Sequence, residues 1–106
     1  MKLISRTEEL ILLTVIRLNA NAYCVPIYDY LNEVTSKKWT LGNIYPPLYR
    51  LEENGYLESY MGEPSAERGG KSKRFYKVTS KGLKALQAIK ELHQTSWDGL
   101  AELALD

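Results

Sequence analysis

The sequence has few of the residues on which catalytic and metal sites depend. Its 106 residues include one cysteine, Cys24, and one histidine, His93. A single cysteine cannot form a disulfide within the chain, and one isolated histidine does not make a zinc site. No nucleophile is paired with a base, and residues 69–72 lack the upstream glycine of a Walker phosphate loop. We therefore predict no metal, no cofactor and no enzymatic activity, with His93 on a helix face and Cys24 as a small buried side chain.

Long apolar segments and secretion signals are also missing. No apolar run approaches the roughly 18 residues that a membrane-spanning helix requires. Residues 1–9 include two acidic side chains and no small-residue cleavage pattern. We therefore expect a cytoplasmic protein with no membrane partner.

Net charge is close to zero, but the basic side chains are unevenly distributed. The formal charge is +1, from 14 lysines and arginines against 13 acidic residues. Residues 68–77 contain five basic side chains and no acidic one. A local basic patch on a nearly neutral chain favours an oriented anionic partner, although a solvated charged loop is the alternative.

Hydrophobic spacing predicts three helices in the first half of the chain. The first, over residues 7–18, is apolar on almost all sides, so we expect Leu10 and Leu13 to face a second subunit. A linker over residues 19–22 precedes the second helix, over 25–36. Thr40 caps the third helix, which stops at residues 54–55, where a glycine supplies the left-handed conformation. Two prolines at 46–47 predict either a late start near Tyr45 or a bend.

A hairpin and a long helix are predicted in the second half. Strands over 56–61 and 75–78 flank a flexible tip, and four side chains face inward: Leu57, Met61, Tyr76 and Val78. Thr79 caps a last helix that runs from about residue 80 to at least 97, with an extension to 104 as the longer alternative. Its apolar repeat predicts a contact with another helix at Leu86, Ile89, His93, Trp97 and Leu100.

These elements predict a mostly helical α+β fold, a winged helix-turn-helix with a two-stranded wing and a C-terminal dimerisation helix. Residues 1–79 form the DNA-binding part and residues 80–106 the dimerisation helix, in one compact unit. The exposed sector of the third helix is polar and aromatic, because its apolar residues share one narrow sector. We predict DNA contacts from this helix, from the preceding turn and from the wing: Asn43, Tyr45, Tyr49, Arg50, Lys37, Lys38, Arg68, Lys71, Lys73 and Arg74. Alternatives stay open, since Asn43 can cap a turn, Tyr45 can pack on the second helix, and Lys37 and Lys38 can be ordinary surface.

Two segments resemble the PadR family of bacterial transcription regulators. Residues 42–55 are similar to the family's Gly-Thr-Leu-Tyr-Pro-x-Leu-x-Arg-Leu-Glu-x-x-Gly segment, with Asn43 in place of the threonine. Residues 73–79 together with Gly82 are similar to its Arg-Lys-Tyr-Tyr-x-Leu-Thr-x-x-Gly segment. Residues 23–27 depart from the family's frequent Tyr-Gly-Tyr-Glu-Ile. The resemblance covers roughly residues 8–104.

The resemblance implies a homodimer that binds double-stranded DNA at two half-sites, usually as a repressor. It implies that the C-terminal helix packs on the N-terminal helix of the partner. In some relatives a cleft at the dimer centre binds planar or aromatic molecules, so Trp97 is either an interface anchor or part of a site for a small aromatic effector. A second hypothesis is a winged-helix module that binds protein without specific DNA binding, because Glu52 and Glu53 share the ligand face.

Overall fold

The computed structural model describes residues 3–63 and 72–100. Within these ranges a short 3-10 turn, Asn19–Asn21, joins the first two of four helices, and a two-stranded hairpin precedes the last. The helices and strands are α1 (Arg6–Leu18), α2 (Cys24–Val34), α3 (Leu41–Glu53), β1 (Leu57–Met61), β2 (Arg74–Val78) and α4 (Ser80–Trp97). The predicted α+β class, mostly helical with a two-stranded wing, is confirmed. No helix in the described ranges is both long enough and apolar enough to cross a membrane.

Hydrogen-bonding side chains set the starts of three of these helices. Ser5 accepts from the backbone N–H of Glu8 at 3.1 Å, and the Glu8 carboxylate accepts from the N–H of Ser5 at 2.7 Å. Thr40 accepts from the N–H of Asn43, and Thr79 from the N–H of Gly82. Each cap satisfies an N–H group that has no partner within its helix. The caps predicted at Thr40 and Thr79 are confirmed.

The third helix begins directly after its cap in spite of its two prolines. It starts at Leu41, and the N–H of Ile44 donates to the carbonyl of Thr40 at 3.1 Å. The late start near Tyr45 is therefore wrong. Pro47 and three other apolar residues are buried on one side of this helix: Ile44, Leu48 and Leu51. Burial of that face stabilises the helix across the two missing backbone donors.

The first helix lies at the centre of the core and packs against α2, α3, β2 and α4. Fully buried side chains come from α1 itself and from α2, α3 and β1: Ile11, Leu12, Ile27, Leu31, Ile44, Leu48, Leu51 and Leu57. Leu10 packs partly buried against this core. Other elements of the same chain therefore cover most of the apolar surface of α1, and only Leu13 and Ile16 among its large apolar side chains stay exposed.

The wing is an antiparallel pair whose inner face joins the core at one end only. Leu57 pairs with Val78, and both are buried, as is Tyr76. Met61 is 58% exposed, so the prediction that it faces inward is wrong. Met61 lies on the same face of β1 as the buried Leu57, because side chains alternate along a strand. However, it pairs with Arg74 at the far end of the hairpin, beyond the packed core.

The last helix is shorter than the longer alternative. It ends at Trp97, and a turn follows in which Gly99 has a φ of +79°. A left-handed glycine at this position interrupts the helix, so the extension through to 104 is wrong. Lys81, in the first turn, donates to the carbonyl of Asn54 at 2.6 Å. That lysine therefore satisfies the C-terminus of α3, which the sequence pattern did not predict.

Candidate nucleic-acid interface

The exposed face of α3 is aromatic and polar, with one basic side chain, Arg50, and two acidic ones, Glu52 and Glu53. Tyr45 is 53% and Tyr49 64% exposed, and Arg50 is exposed beside them. The opposite face is completely buried in the core. The fold therefore holds α3 rigidly from behind and presents three side chains with hydrogen-bond donors at its front.

An acidic side chain lies one turn further along α3 from Tyr49. Interaction with the Glu53 carboxylate raises the pKa of the Tyr49 hydroxyl above its usual value, because it favours the protonated, hydrogen-bond-donating form. Helical spacing placed Tyr49 and Glu53 on the same face of α3 but did not predict that they would interact.

A cleft of about 330 Å³ opens on the side of α3 that faces the wing. Eight residues line it, from α3, from α2 and the residue before it, and from β2 and the residue before it: Tyr23, Cys24, Val25, Leu41, Tyr45, Lys73, Arg74 and Tyr76. Burial raises the pKa of the Cys24 thiol, and the thiol beside it raises the pKa of Tyr45. Cys24 is buried and stays protonated, in agreement with its interpretation as a small core side chain.

Arg74 joins the wing to α3. Its Nη1 donates to the Ser59 hydroxyl at 3.1 Å and lies 3.9 Å from a carboxylate oxygen of Glu52. The Ser59 hydroxyl donates in turn to the same carboxylate. The guanidinium is thus oriented by both neighbours while half of its side chain remains exposed. The sequence pattern placed Glu52 on the ligand face but did not predict its link to Arg74, and it gave no signal for Ser59, which is uncharged.

Two candidate lysines lie over aromatic rings, one on each flank of α3. The Lys73 Nζ is 3.6 Å from the centroid of the Tyr23 ring, on the wing side. The Lys37 Nζ is 4.6 Å from the centroid of the Trp39 ring, in a groove shared with Arg50. Both distances fall within the range of a cation–π interaction. Trp39 is itself buried in the core, a position that the sequence patterns did not predict.

Asn43 is placed as a capping residue. Its Oδ1 accepts from the N–H of Thr40 at 2.8 Å, and its Nδ2 donates to the carbonyl of Lys38 at 3.3 Å. Both ends of the amide are therefore used within the protein, and the Lys38 side chain is exposed. Arg68 and Lys71, also predicted to contact DNA, lie outside the described residues.

The predicted interface residues of α1 and α4 fall into two groups. Leu10 and Leu86 pack against the core and Ile89 is buried in it. Leu13, His93, Trp97 and Leu100 are exposed, and so is every residue from 91 to 100. The second half of α4 therefore extends beyond the core of the described chain. Ile16 and Leu92 are exposed on the same apolar surfaces but were not among the predicted interface residues. Their helical spacing from the predicted residues could have identified them.

His93 lies beside a buried carboxylate. Its Nε2 is 3.6 Å from an oxygen of Glu9, which also accepts from Arg6 at 2.9 Å. Among the described residues, no group of three or more histidine, cysteine and acidic side chains is arranged to hold a metal ion. His93 itself lies on the exposed surface of α4.

Comparison with known proteins identifies the family. Among curated proteins no significant match was found. A PadR-like transcription factor from Bacteroides fragilis superposes with a TM-score of 0.70 at 25% identity, over 92% of this chain and 89% of that chain. PadR regulators from Bacillus cereus (TM-score 0.67, 22% identity, 92% and 93% covered) and Eggerthella lenta (0.67, 24%, 92% and 83%) share the fold. The model of the PadR-like transcriptional regulator family matches residues 12–88, and the chain therefore belongs to this family of transcriptional regulators, which are not enzymes.

Proposed function

We propose that the protein is a DNA-binding repressor that acts in the cytoplasm as a homodimer. The exposed face of α3 carries this proposal, because Tyr45, Tyr49 and Arg50 project from a helix that is rigidly held from behind. Arginine and tyrosine can donate to base edges and to phosphates, and a helix of this kind fits the major groove.

Cations on both flanks of α3 support a DNA ligand. Lys37 lies on one side, and Lys73 and Arg74 lie on the other. A helix seated in the major groove has a phosphate backbone on each side, so this distribution matches the charge of the duplex. Lys38, Arg68 and Lys71 are proposed to add backbone contacts.

The second half of α4 is proposed to bind a second copy of the chain. Leu92 and Trp97 are exposed there although they are large and apolar, and so is Leu100 in the turn that follows. Leu13 and Ile16 leave a similar surface on α1, and α1 and α4 of one protomer can cover α4 and α1 of the other. Residues 80–106 thus serve dimerisation and residues 1–79 DNA binding. Two α3 helices about one DNA turn apart, ~34 Å, would read a palindrome.

A small aromatic effector is proposed to act at the dimer centre. Trp97 is 53% exposed near the end of α4, where a dimer axis would bring two such rings together. A ligand bound between them would change the separation of the two α3 helices. Both half-sites must be engaged at once, so this change would release the DNA.

Fluorescence anisotropy on the DNA upstream of the protein's own gene tests DNA binding. We expect specific binding at least ~10³-fold tighter than to scrambled duplex, with an affinity that falls steeply with salt. Arg50→Ala should weaken binding about 5- to 150-fold. Arg17→Ala is the matched control, because Arg17 is a basic residue that lies over Tyr30, outside the α3 grooves. Equal, weak binding of both duplexes would contradict a specific operator.

Sedimentation tests dimerisation, and a reporter gene tests repression. Trp97→Ala should shift the protein from dimer toward monomer as concentration falls, because an aromatic anchor contributes strongly to an interface. Deleting the gene should raise expression of a reporter placed behind the operator. A fall in expression would instead identify an activator.

A protein-binding module is the second candidate function. It is favoured by the two acidic side chains on α3, because Glu53 is exposed and Glu52 is partly exposed on the same face as Tyr49. Charge reversal of the wing, Lys71→Glu with Lys73→Glu, separates the two candidates. Cellular function that survives this reversal would favour the protein-binding module over the repressor.

A further inference from the structure

We propose that Tyr23 is a positioning residue for DNA binding, which holds Lys73 at the cleft between α2, α3 and the wing. This inference rests on the proposed DNA binding. The Lys73 Nζ lies 3.6 Å from the centroid of the Tyr23 ring, well inside the ~6 Å range over which the ring attracts a cation. Tyr23 is uncharged and precedes α2, so no pattern of basic residues would single it out.

The Tyr23 ring is fixed by contacts on the wing. Its backbone forms a bridge with Phe75, and the two rings meet edge to face at 5.4 Å with an interplanar angle of 68°. Tyr60 stacks on the same Phe75 ring at 5.6 Å. The neighbouring N–H of Tyr76 donates to the carbonyl of Ala22 at 2.8 Å, which ties the two segments together. Lys73 therefore rests on a platform with little freedom of its own.

A lysine held in this way loses less conformational entropy when it meets a phosphate. A free lysine side chain gives up most of its rotamer freedom on forming such a contact. The Tyr23 ring covers one side of the ammonium group, which has three N–H donors. Lys73 lines the same cleft as Arg74 and the exposed Tyr45 of α3. The Tyr23 ring thus restrains the Lys73 ammonium group at a position beside Arg74 and α3.

The opposite flank of α3 has the same arrangement. Lys37 lies 4.6 Å from the centroid of the Trp39 ring and shares a groove with Arg50. One lysine is therefore held over an aromatic ring on each side of the helix. Trp39 is buried in the core, so its replacement would unfold the site, whereas the half-buried Tyr23 can be replaced.

A double-mutant cycle tests the role of Tyr23. Anisotropy would be measured on the upstream duplex at several salt concentrations for Tyr23→Leu, Tyr23→Phe, Lys73→Ala and the Leu/Ala double variant. Tyr23→Phe keeps the ring and should bind like the wild type, whereas Tyr23→Leu should bind about two- to fivefold more weakly. Lys73→Ala should reduce the log–log salt slope by about one. Tyr23→Leu should have no further effect once Lys73 is absent.

Tyr60→Leu is the matched control. It removes an aromatic contact with Phe75 but leaves Lys73 over Tyr23. If Tyr60→Leu weakens DNA binding as much as Tyr23→Leu does, the role of Tyr23 is merely structural and the inference is overturned. The same conclusion follows if Tyr23→Leu weakens binding equally in the presence and in the absence of the Lys73 side chain. Lys73→Ala with unchanged affinity would overturn it as well. Wild-type protein that binds no duplex would instead refute the proposed function.

Proton NMR keeps the inference testable where Tyr23→Leu does not fold. The ε-methylene protons of Lys73 should be shifted upfield by the ring in the wild type and in Tyr23→Phe. The shift should persist in the DNA complex, because the ring holds the lysine there too. Unshifted protons in the complex would show that Lys73 leaves the ring on binding and would refute the positioning role.

Discussion

Gly82 stands in the first turn of α4, where a larger side chain has no room. A Cβ at this position would lie 2.4 Å from the carbonyl oxygen of Tyr56 and 2.7 Å from a methyl group of Val78. The Tyr56 carbonyl also accepts from the N–H of Thr79 at 3.1 Å, so it cannot move away without weakening that bond. Gly82→Ala must therefore displace the start of α4 from the wing.

The cost of this displacement can be bounded. Inserting one methyl group into a packed site typically destabilises a protein by about 1–3 kcal/mol. Alanine recovers at most about 1 kcal/mol through its better helix propensity. The difference leaves a net loss of roughly 0–3 kcal/mol in the free energy of unfolding. We expect Gly82→Ala to lie in the upper half of this range, because the added Cβ would come within 2.4 Å of a hydrogen-bonded backbone oxygen. Each kcal/mol corresponds to roughly 4–8 °C in Tm for a domain of about this size.

Urea unfolding and thermal melts would measure the effect at one fixed protein concentration, because the proposed dimerisation would make apparent stability depend on concentration. Gly42→Ala is the matched control, since Gly42 also lies in the first turn of a helix. A Cβ added at Gly42 would lie 3.8 Å from the Thr40 hydroxyl oxygen, which is an ordinary van der Waals contact. Gly42→Ala should be neutral or slightly stabilising. If Gly82→Ala proves as stable as Gly42→Ala, the close-packing argument is refuted.

Three further predictions concern single side chains. Thr79→Val removes the α4 cap and the hydrogen bond from the hydroxyl to the Gly55 carbonyl, and should cost about 1–2 kcal/mol in urea unfolding. Asn32→Ala leaves the N–H and carbonyl of Trp39 without their side-chain partner, and should cost about 1–3 kcal/mol by the same assay. Burial raises the pKa of Tyr76 from 10 to about 12, so its contribution to stability is complete below pH 10 and is lost as pH rises toward 12. Tyr76→Phe should flatten this part of the stability curve, and equal slopes for both proteins would contradict it.

Local rules account for the parts of the fold that could be predicted. Thr40 and Thr79 cap helices because a short hydroxyl can reach an unpaired N–H within its own turn. Gly55 ends α3 with a φ of +81°, a conformation that side chains rarely adopt. The buried sector of α3 follows from helical spacing alone. The family assignment agrees with the two motifs on which the resemblance was based.

Predictions that depended on where the core ends were less successful. Met61 has the inward parity on β1 yet lies beyond the core, because parity does not say how far the packed layer extends. Pro46 and Pro47 suggested either a late start or a bend for α3. The late start is wrong, because capping and burial outweigh the two missing hydrogen bonds. Ile89 repeats with the exposed residues of α4 but is buried against its own chain. Periodicity identifies a face without identifying what covers it.

The sequence by itself determined the types and order of the elements, the position of α3 with its exposed face, and the family, because these depend on spacing, caps and motifs within short segments. Only the tertiary structure decided which groups work together around that helix. Tyr23 supports Lys73, Glu52 and Ser59 orient Arg74, and the space beside Gly82 is filled by Tyr56. Each of these relations joins segments that are far apart in the chain or on different elements, and only packing around the shared core brings them into contact.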